Sequence, residues 1–482
     1  MPALQPVAFI VSALVFGMSL VMLLPAAADL AAGSGAWLAF AISAGVGAGL
    51  GGMGMLAWWP ETLTLRLREA FLVTTLSWVA LAAVAALPLY FAALDIGFTD
   101  AFFEAVSGIT TTGSTVLTGL DQMPPGILVW RSLLQWLGGA GIIVMGMAIL
   151  PFLRVGGMQI FRTESSDQSG GKLFPRPRQI ALAIGSVYLG LSVACAVLYG
   201  LAGMTPFAAV NHAMTTVATG GYSTSDTSLG TWGAAVHWVA IVFMLAGALP
   251  FLLYVRALRG RPGALMRNSQ VQTLLAGLAA AIAAMTAWLV LTRGDGVLEA
   301  LRLAAFNITS IVTTTGYATA DYGAWGHFAL VVFLFLIFVG GCGGSTSGGI
   351  KVFRFEIIAR MILRIVAQLI YPRRVYRLTY QGRRIDHDVT IGVVAFFAFF
   401  TTALAVGSLA LAFMGLDFLT ALSGAATALA NVGPGLGPAI GPDTTFTELP
   451  AAAKWLLCLG MLLGRLEIFT VVVLVTPAFW RQ

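Results

Sequence analysis

The sequence predicts an all-α polytopic membrane protein in which four pseudo-repeated helix–pore-loop–helix units surround one pore, preceded by two extra N-terminal transmembrane helices. Three observations carry this expectation. Of the 482 residues, 59% are hydrophobic and only 10% are charged. Apolar runs long enough to cross about 30 Å of hydrocarbon recur along the whole chain. Between them, a Thr- and Gly-rich turn appears four times. A water-soluble chain of this length would hold about three domains and a much larger charged fraction. The formal net charge of +6 would suit nucleic acid only if the basic residues were gathered in one domain, whereas they are scattered among the loops. Lipid is the expected surrounding, and nucleic acid is not an expected partner.

The apolar runs are Pro6 to Ala27, Trp37 to Trp58, Phe71 to Phe91, Ile127 to Leu153, Ile180 to Leu201, Val236 to Val255, Leu274 to Leu291, Phe328 to Val339 with a continuation beyond a Gly-rich break, Thr390 to Met414, and Trp455 to Val475. The first is read as a span and not a cleaved signal, because no Lys or Arg precedes it and it exceeds a signal core in length. Ten crossings put both termini on one side of the membrane. With the termini cytoplasmic, most Lys and Arg fall inside, and only Arg131, Arg293, Arg302 and Lys454 fall outside, as the positive-inside rule requires. The densest basic stretch, Lys351 to Arg384, is then cytoplasmic and suits lipid headgroups or a docking partner. Cys195, Cys342 and Cys458 lack paired ligand spacing, so neither disulfides nor a zinc site is expected.

The four recurring segments are Phe102 to Thr115, Phe207 to Thr224, Leu301 to Thr319 and Phe418 to Gly437, each lying between two spans on the outer side. Aligning Gly113, Gly220, Gly316 and Gly433 sets the four copies in register. Each leading segment is too short to cross, so it enters from outside as a half-helix and returns as extended chain. Such backbone is tolerated at membrane depth only where protein buries it or where it lines a watery cavity. Carbonyl oxygens of that return can replace an ion's water shell, and glycine permits the angles that aim them inward. A single Thr-Thr-Thr-Gly would read as a helix end with a left-handed glycine cap; four in equivalent places read as a pore. The fourth copy is the most divergent, with Asn431, Val432 and Pro434 around Gly433.

Two further features stand out. The run Gly340 to Gly349 interrupts the eighth span, and continuous helix through it would cost about 1 kcal/mol per glycine. It does not end as a phosphate-binding loop does, because Ile350 and Lys351 follow Gly349. Arg465 lies deep in the last span with Glu467 close by, and an intramembrane charge points to function. Pairing with Glu467 and contact with carbonyls of the glycine run are the two expectations for it. Glu104, Asp121, Asp226, Asp321 and Asp443 flank the four loops, where together they would gather cations and singly would be solvated loop carboxylates. His212 and Asn307 are expected as hydrogen-bonded core residues of the second and third half-helices.

With these stretches in view (TTTGST, ATGGYS, TTTGYAT and ANVGPGLG), the chain resembles the Trk/Ktr/HKT superfamily of potassium transporters over essentially its whole length, most closely the TrkH/TrkG type. The resemblance implies a potassium filter formed by Thr111, Thr112 and Gly113; Ala218, Thr219 and Gly220; Thr314, Thr315 and Gly316; and Asn431, Val432 and Gly433. It implies a gate below, made of Gly340, Gly341, Gly343, Gly344, Ser345, Thr346, Ser347, Gly348 and Gly349 together with Arg465. Gly113, at the position where sodium-conducting HKT proteins often carry serine, favours potassium permeation. Selectivity and gating are thereby assigned to two separate layers.

The expected division is residues 1–69 for the N-terminal helix pair, 70–178 for repeat 1, 179–270 for repeat 2, 271–389 for repeat 3 with the glycine loop, and 390–482 for repeat 4. The resemblance also implies a bacterial inner-membrane location, a homodimer and a cytosolic nucleotide-binding regulatory ring of the TrkA type. No covalent cofactor is expected, and potassium is cargo. The scarcity of carboxylates in the spans favours a gated conduit over potassium symport with protons or sodium. An enzyme is not expected, since no metal-ligand cluster or nucleophile–base pair stands out.

Overall fold

The computed structural model describes residues 4–148, 177–373 and 377–481. Among these described residues, seven helices are long and apolar enough to cross a bilayer: Leu4–Ala31, Trp37–Ala57, Leu67–Phe91, Pro125–Met145, Gln179–Leu201, Ser269–Arg293 and His387–Phe413. The expected continuation of the fourth span to Leu153 lies partly outside the described residues. Two more spans are bent. Ala234–Ala248 turns by 95° into Phe251–Leu258, and Ala451–Arg465 turns by 113° into Phe469–Val475. Pro250, which cannot donate a backbone hydrogen bond, begins the segment after the first bend. Glu467 and Ile468, with φ of +59° and +33°, make the second. The remaining apolar run is opened by the glycine stretch into His327–Leu336 and Val352–Ile370. The ten expected crossings are therefore seven continuous helices, two bent ones and one that is split.

Between the two helices of each repeat lies a short pore helix: Phe98–Ile109, Pro206–Val217, Val297–Val312 and Phe418–Ala430. At 12 to 16 residues and 1.5 Å per residue they reach about 18–24 Å, short of the hydrocarbon thickness. Their starts are capped locally. Thr205 accepts from the Ala208 N–H ahead of Pro206, and the Asp417 carboxylate accepts from the Thr420 N–H, each satisfying one of the open donors of the first turn. From Phe102 to Ile109, and again from Ala304 to Val312, every residue is buried. These stretches of the pore helices are thus enclosed by protein, while the spanning helices keep large apolar side chains such as Leu182, Val193, Leu291 and Phe413 exposed toward lipid.

Candidate ion pathway

All four pore helices end in the same way. One residue adopts the left-handed conformation: Thr111 (φ +53°), Thr219 (+51°), Thr314 (+57°) and Asn431 (+54°). Its N–H bonds three residues back, to Gly108, Thr216, Ile311 and Ala428. The next N–H bonds five residues back: Thr112 to Ser107, Gly220 to Thr215, Thr315 to Ser310 and Val432 to Thr427, at 2.8–3.1 Å. This is the Schellman arrangement, which normally places glycine at the left-handed position. Threonine there costs about 1–2 kcal/mol and is an outlier for a β-branched residue. Such strain persists only where the surroundings enforce it.

The third residue of each loop is a glycine with positive φ: Gly113 (+88°), Gly221 (+77°), Gly316 (+82°) and Gly433 (+113°). A Cβ on Gly113 would strike the carbonyl of Gly220. One on Gly221 would strike that of Thr315, and one on Gly316 that of Val432; on Gly433 it would come within 2.8 Å of the Thr112 carbonyl. These contacts run from loop 1 to 2, 2 to 3, 3 to 4 and back to 1, so the loops close a ring around one axis. The fourth residues lean the opposite way. Ser114 Oγ donates to Gly433 O at 2.7 Å, Tyr222 OH to Glu104 O at 2.9 Å, and Tyr317 OH to His212 O at 3.3 Å. Pro434 packs against Gly316.

This ring corrects the alignment read from sequence. In loop 2 the counterpart of Gly113, Gly316 and Gly433 is Gly221. Gly220 instead holds the place of Thr112, Thr315 and Val432, and Ala218 that of Thr110, Thr313 and Ala430. The helix cap sets the register, since the second residue must reach five positions back, and two adjacent glycines hide which of them takes the left-handed angle. In loops 1 to 3 the residue nine before the ring glycine agrees with this register. Glu104 accepts from Thr115 Oγ1 and Val116 N, His212 Nε2 meets Ser223 Oγ at 3.1 Å, and Asn307 Oδ1 accepts from Thr319 N at 3.2 Å. His212 and Asn307 are the hydrogen-bonded core residues expected of them.

Outside the ring lies a cavity of about 290 Å³, lined by Gly113, Gly221, Gly316, Pro434, Asp226 and Asp443 among others. The expected ring of cation-gathering carboxylates is only partly there. Glu104 is fully buried and ion-paired with Arg131 at 2.8 Å, because Arg131 lies over the Tyr222 ring and also donates to Ser223 O. Asp226 accepts the N–H groups of Gly119 and Leu120, and Asp321 caps a short helical turn through Gly323 N. Asp443 faces the cavity.

Beneath the ring the glycine loop is bonded directly to two of the four left-handed residues and to the residue before a third. Thr219 Oγ1 donates to Thr346 Oγ1 at 3.1 Å, and Thr314 Oγ1 lies 3.0 Å from Ser347 Oγ and accepts from Gly348 N at 2.7 Å. Gly349 N donates to Ala430 O, next to Asn431, at 2.8 Å. Ring and loop are thus joined where two separate layers were expected. Thr111 Oγ1 is buried with no hydrogen-bond partner among the described residues. Arg465, 2% exposed, donates to Thr346 O at 2.9 Å, in accord with the expected contact to the glycine loop. Its expected pairing with Glu467 is not found. The bend at Glu467 turns that carboxylate to Lys351, at 3.1 Å, and to Arg354, both at the foot of the glycine loop, with Arg354 stacked on Phe396.

Sequence reading missed Gln135, whose amide holds loop 2, and the Glu104–Arg131 and Lys351–Arg354–Glu467 clusters. Lone polar residues inside apolar runs, as at Arg131 and Gln135, were the available signal. Among the described residues no group of His, Cys, Asp or Glu could hold a metal ion.

Comparison with known proteins matches this geometry. The family model "TrkH: Cation transport protein" covers residues 52–481. The Trk system potassium uptake protein TrkI of Halomonas elongata is 50% identical over 92% of this chain and 90% of its own length. TrkH of the same organism is 40% identical over the whole of both chains. The crystal structure of the potassium transporter TrkH from Vibrio parahaemolyticus superposes with a TM-score of 0.92 at 36% identity, covering 99% of this chain and 100% of that one. Four capped pore helices closing a ring, a split eighth span and full-length relatives agree: the chain belongs to the TrkH family of cation transport proteins.

Proposed function

We propose that the protein takes up potassium across the bacterial inner membrane through the ring of four loops. The observation that carries this reading is the state of the second-position carbonyls. Those of Thr112, Thr315 and Val432 belong to fully buried residues and accept no hydrogen bond among the described residues. Buried carbonyls require a partner, and a dehydrated monovalent cation on the common axis is the partner that such oxygens suit. The potassium named for the Trk relatives is that cation.

The filter comprises Thr111, Thr112 and Gly113; Thr219, Gly220 and Gly221 with Ala218 below; Thr314, Thr315 and Gly316; and Asn431, Val432 and Gly433. Residues 340–349 and Arg465 form the gate, where a fixed positive charge raises the barrier to a cation. A conduit is favoured over symport because Glu467 is engaged by two cations and is a poor proton relay. The repeats run 70–178, 179–270, 271–389 and 390–482, after the N-terminal pair at 1–69. A homodimer and a cytosolic ring of the TrkA type complete the proposed assembly, the ring docking on the basic stretch from Lys351 to Arg384 apart from Lys351 and Arg354, which are buried against Glu467.

Reversal potentials of the purified protein in bilayers test the reading. Under bi-ionic conditions the potential should follow potassium over sodium, and Gly316→Ser should move it toward sodium. A wild type that does not discriminate, or an unchanged ratio in the variant, would overturn the filter assignment; a reversal potential displaced by a pH gradient would overturn the conduit.

A further inference from the structure

Gln135 lies in the helix Pro125–Ala148, one turn beyond Arg131, and is completely buried. Its amide spans the second loop. Nε2 donates to the Gly220 carbonyl at 2.7 Å, and Oε1 accepts from the Tyr222 N–H at 3.0 Å. These two peptide groups flank Gly221, so one side chain fixes both sides of the ring glycine. The Gly220–Gly221 pair is the most freely rotating stretch of the ring. Left alone, the Gly220 peptide could turn its oxygen out of the place where it meets Gly113.

The other loops carry a side chain at this second position: Thr112, Thr315 and Val432. Gly220 carries none, yet the space is filled. The three atoms nearest to where its Cβ would stand, at 2.4–2.8 Å, all belong to the Gln135 carboxamide. Close approach of the helix makes this reach possible, since Gly138 packs on Ile109 and Gly139 on Ala218. A helix of repeat 1 thereby supplies the side chain that loop 2 lacks.

We propose that Gln135 is a positioning residue that determines selectivity: it stands in for the missing second-position side chain of loop 2 and holds the Gly220 carbonyl in the ring. The proposal rests on the reading of the ring as the potassium filter. It separates position 220 from its three counterparts, Thr112, Thr315 and Val432, whose carbonyls accept no hydrogen bond among the described residues.

The test is the potassium-to-sodium permeability ratio of purified, full-length protein in bilayers, taken from bi-ionic reversal potentials. Gln135→Leu keeps bulk and loses both hydrogen bonds; Gln135→Ala loses both and the bulk. Each should lower the ratio about three- to ten-fold, the worth of one or two net hydrogen bonds. Gly220→Thr alone should impair the ratio, because its Cβ collides with the amide. Gln135→Ala combined with Gly220→Thr returns the side chain to the loop and should recover much of the loss, a coupling opposite in sign to two independent injuries. If Gln135→Ala does not fold, Gln135→Leu still decides. An unchanged ratio in properly folded Gln135→Leu, or altered current at an unchanged ratio, would overturn the proposal. Gly316→Ser run in parallel separates the two claims. A shift there with none at Gln135 removes only the role of Gln135, whereas a wild type without potassium preference removes the filter reading itself.

Discussion

The ring and the helices beneath it are built on opposite plans. Above, four loops of different sequence adopt one backbone: a left-handed residue, a buried carbonyl and a glycine with positive φ. Even the divergent Asn431-Val432-Gly433 follows it. Below, the second helix differs in each repeat. It is continuous from Pro125 to Ala148 in repeat 1, bent by 95° in repeat 2, opened across residues 337–351 in repeat 3, and bent by 113° in repeat 4. In repeats 1, 2 and 4 a glycine of that helix (Gly138, Gly247, Gly464) presses on the last carbonyls of its own pore helix, at Ile109, Val217 and Leu429. In repeat 3 the chain instead leaves the helix and spreads under its neighbours. Coordination of a cation on an axis needs equivalent oxygens from all sides, whereas obstruction of the same axis needs only one repeat to cross it. On the proposed assignment of filter and gate, symmetry is kept where the ion is held and given up where passage is controlled.

Three substitutions probe this contrast, in order of expected effect. Glu467→Gln removes the carboxylate that pairs with buried Lys351 and Arg354, and removing one partner of a buried pair costs about 3–5 kcal/mol. A marked fall in the thermal midpoint of the detergent-purified protein is expected, and an unchanged midpoint would mean that the cluster does not anchor the glycine loop to the bend. Gly221→Ala should disturb the ring by about 2–4 kcal/mol through left-handed strain and overlap with the Thr315 carbonyl. Potassium selectivity should collapse in bilayer recordings. Were Gly221→Ala tolerated while Gly113→Ala abolished selectivity, the four-fold equivalence would fail in loop 2. Arg465→Ala removes the charged donor to Thr346 O, worth about 1.5–3 kcal/mol, and should raise open probability roughly ten-fold or more. Because Thr346 also bonds Thr219, a smaller change in the potassium-to-sodium ratio is expected alongside; a change in the ratio without a change in opening would place Arg465 with the ring.

Much was legible along the chain because a membrane imposes strong local rules. Apolar length marks crossings, basic loops mark the side, and short apolar segments ending in Thr and Gly mark the re-entrant turns. The Gly340–Gly349 run announced its own break, since so many glycines cannot sustain a helix. Other features were not legible. Gly220 and Gly221 are chemically identical, and only the hydrogen bond from Gly220 N to Thr215 O, with the Thr315 carbonyl next to Gly221, assigns their angles. Glu467 is two residues from Arg465, yet it pairs with Lys351 and Arg354, more than 100 positions away, because a bend decides where a carboxylate points.

Composition, periodicity and repetition thus determined by themselves that this protein crosses a membrane many times and re-enters it four times. These properties depend on solvation and local backbone preference, which each segment carries within itself. Which glycine joins the ring, which amide holds it, and which charges meet beneath it were decided only by the tertiary structure. They depend on contacts between loops and helices far apart in sequence, where a single helical turn or a one-residue shift exchanges one partner for another.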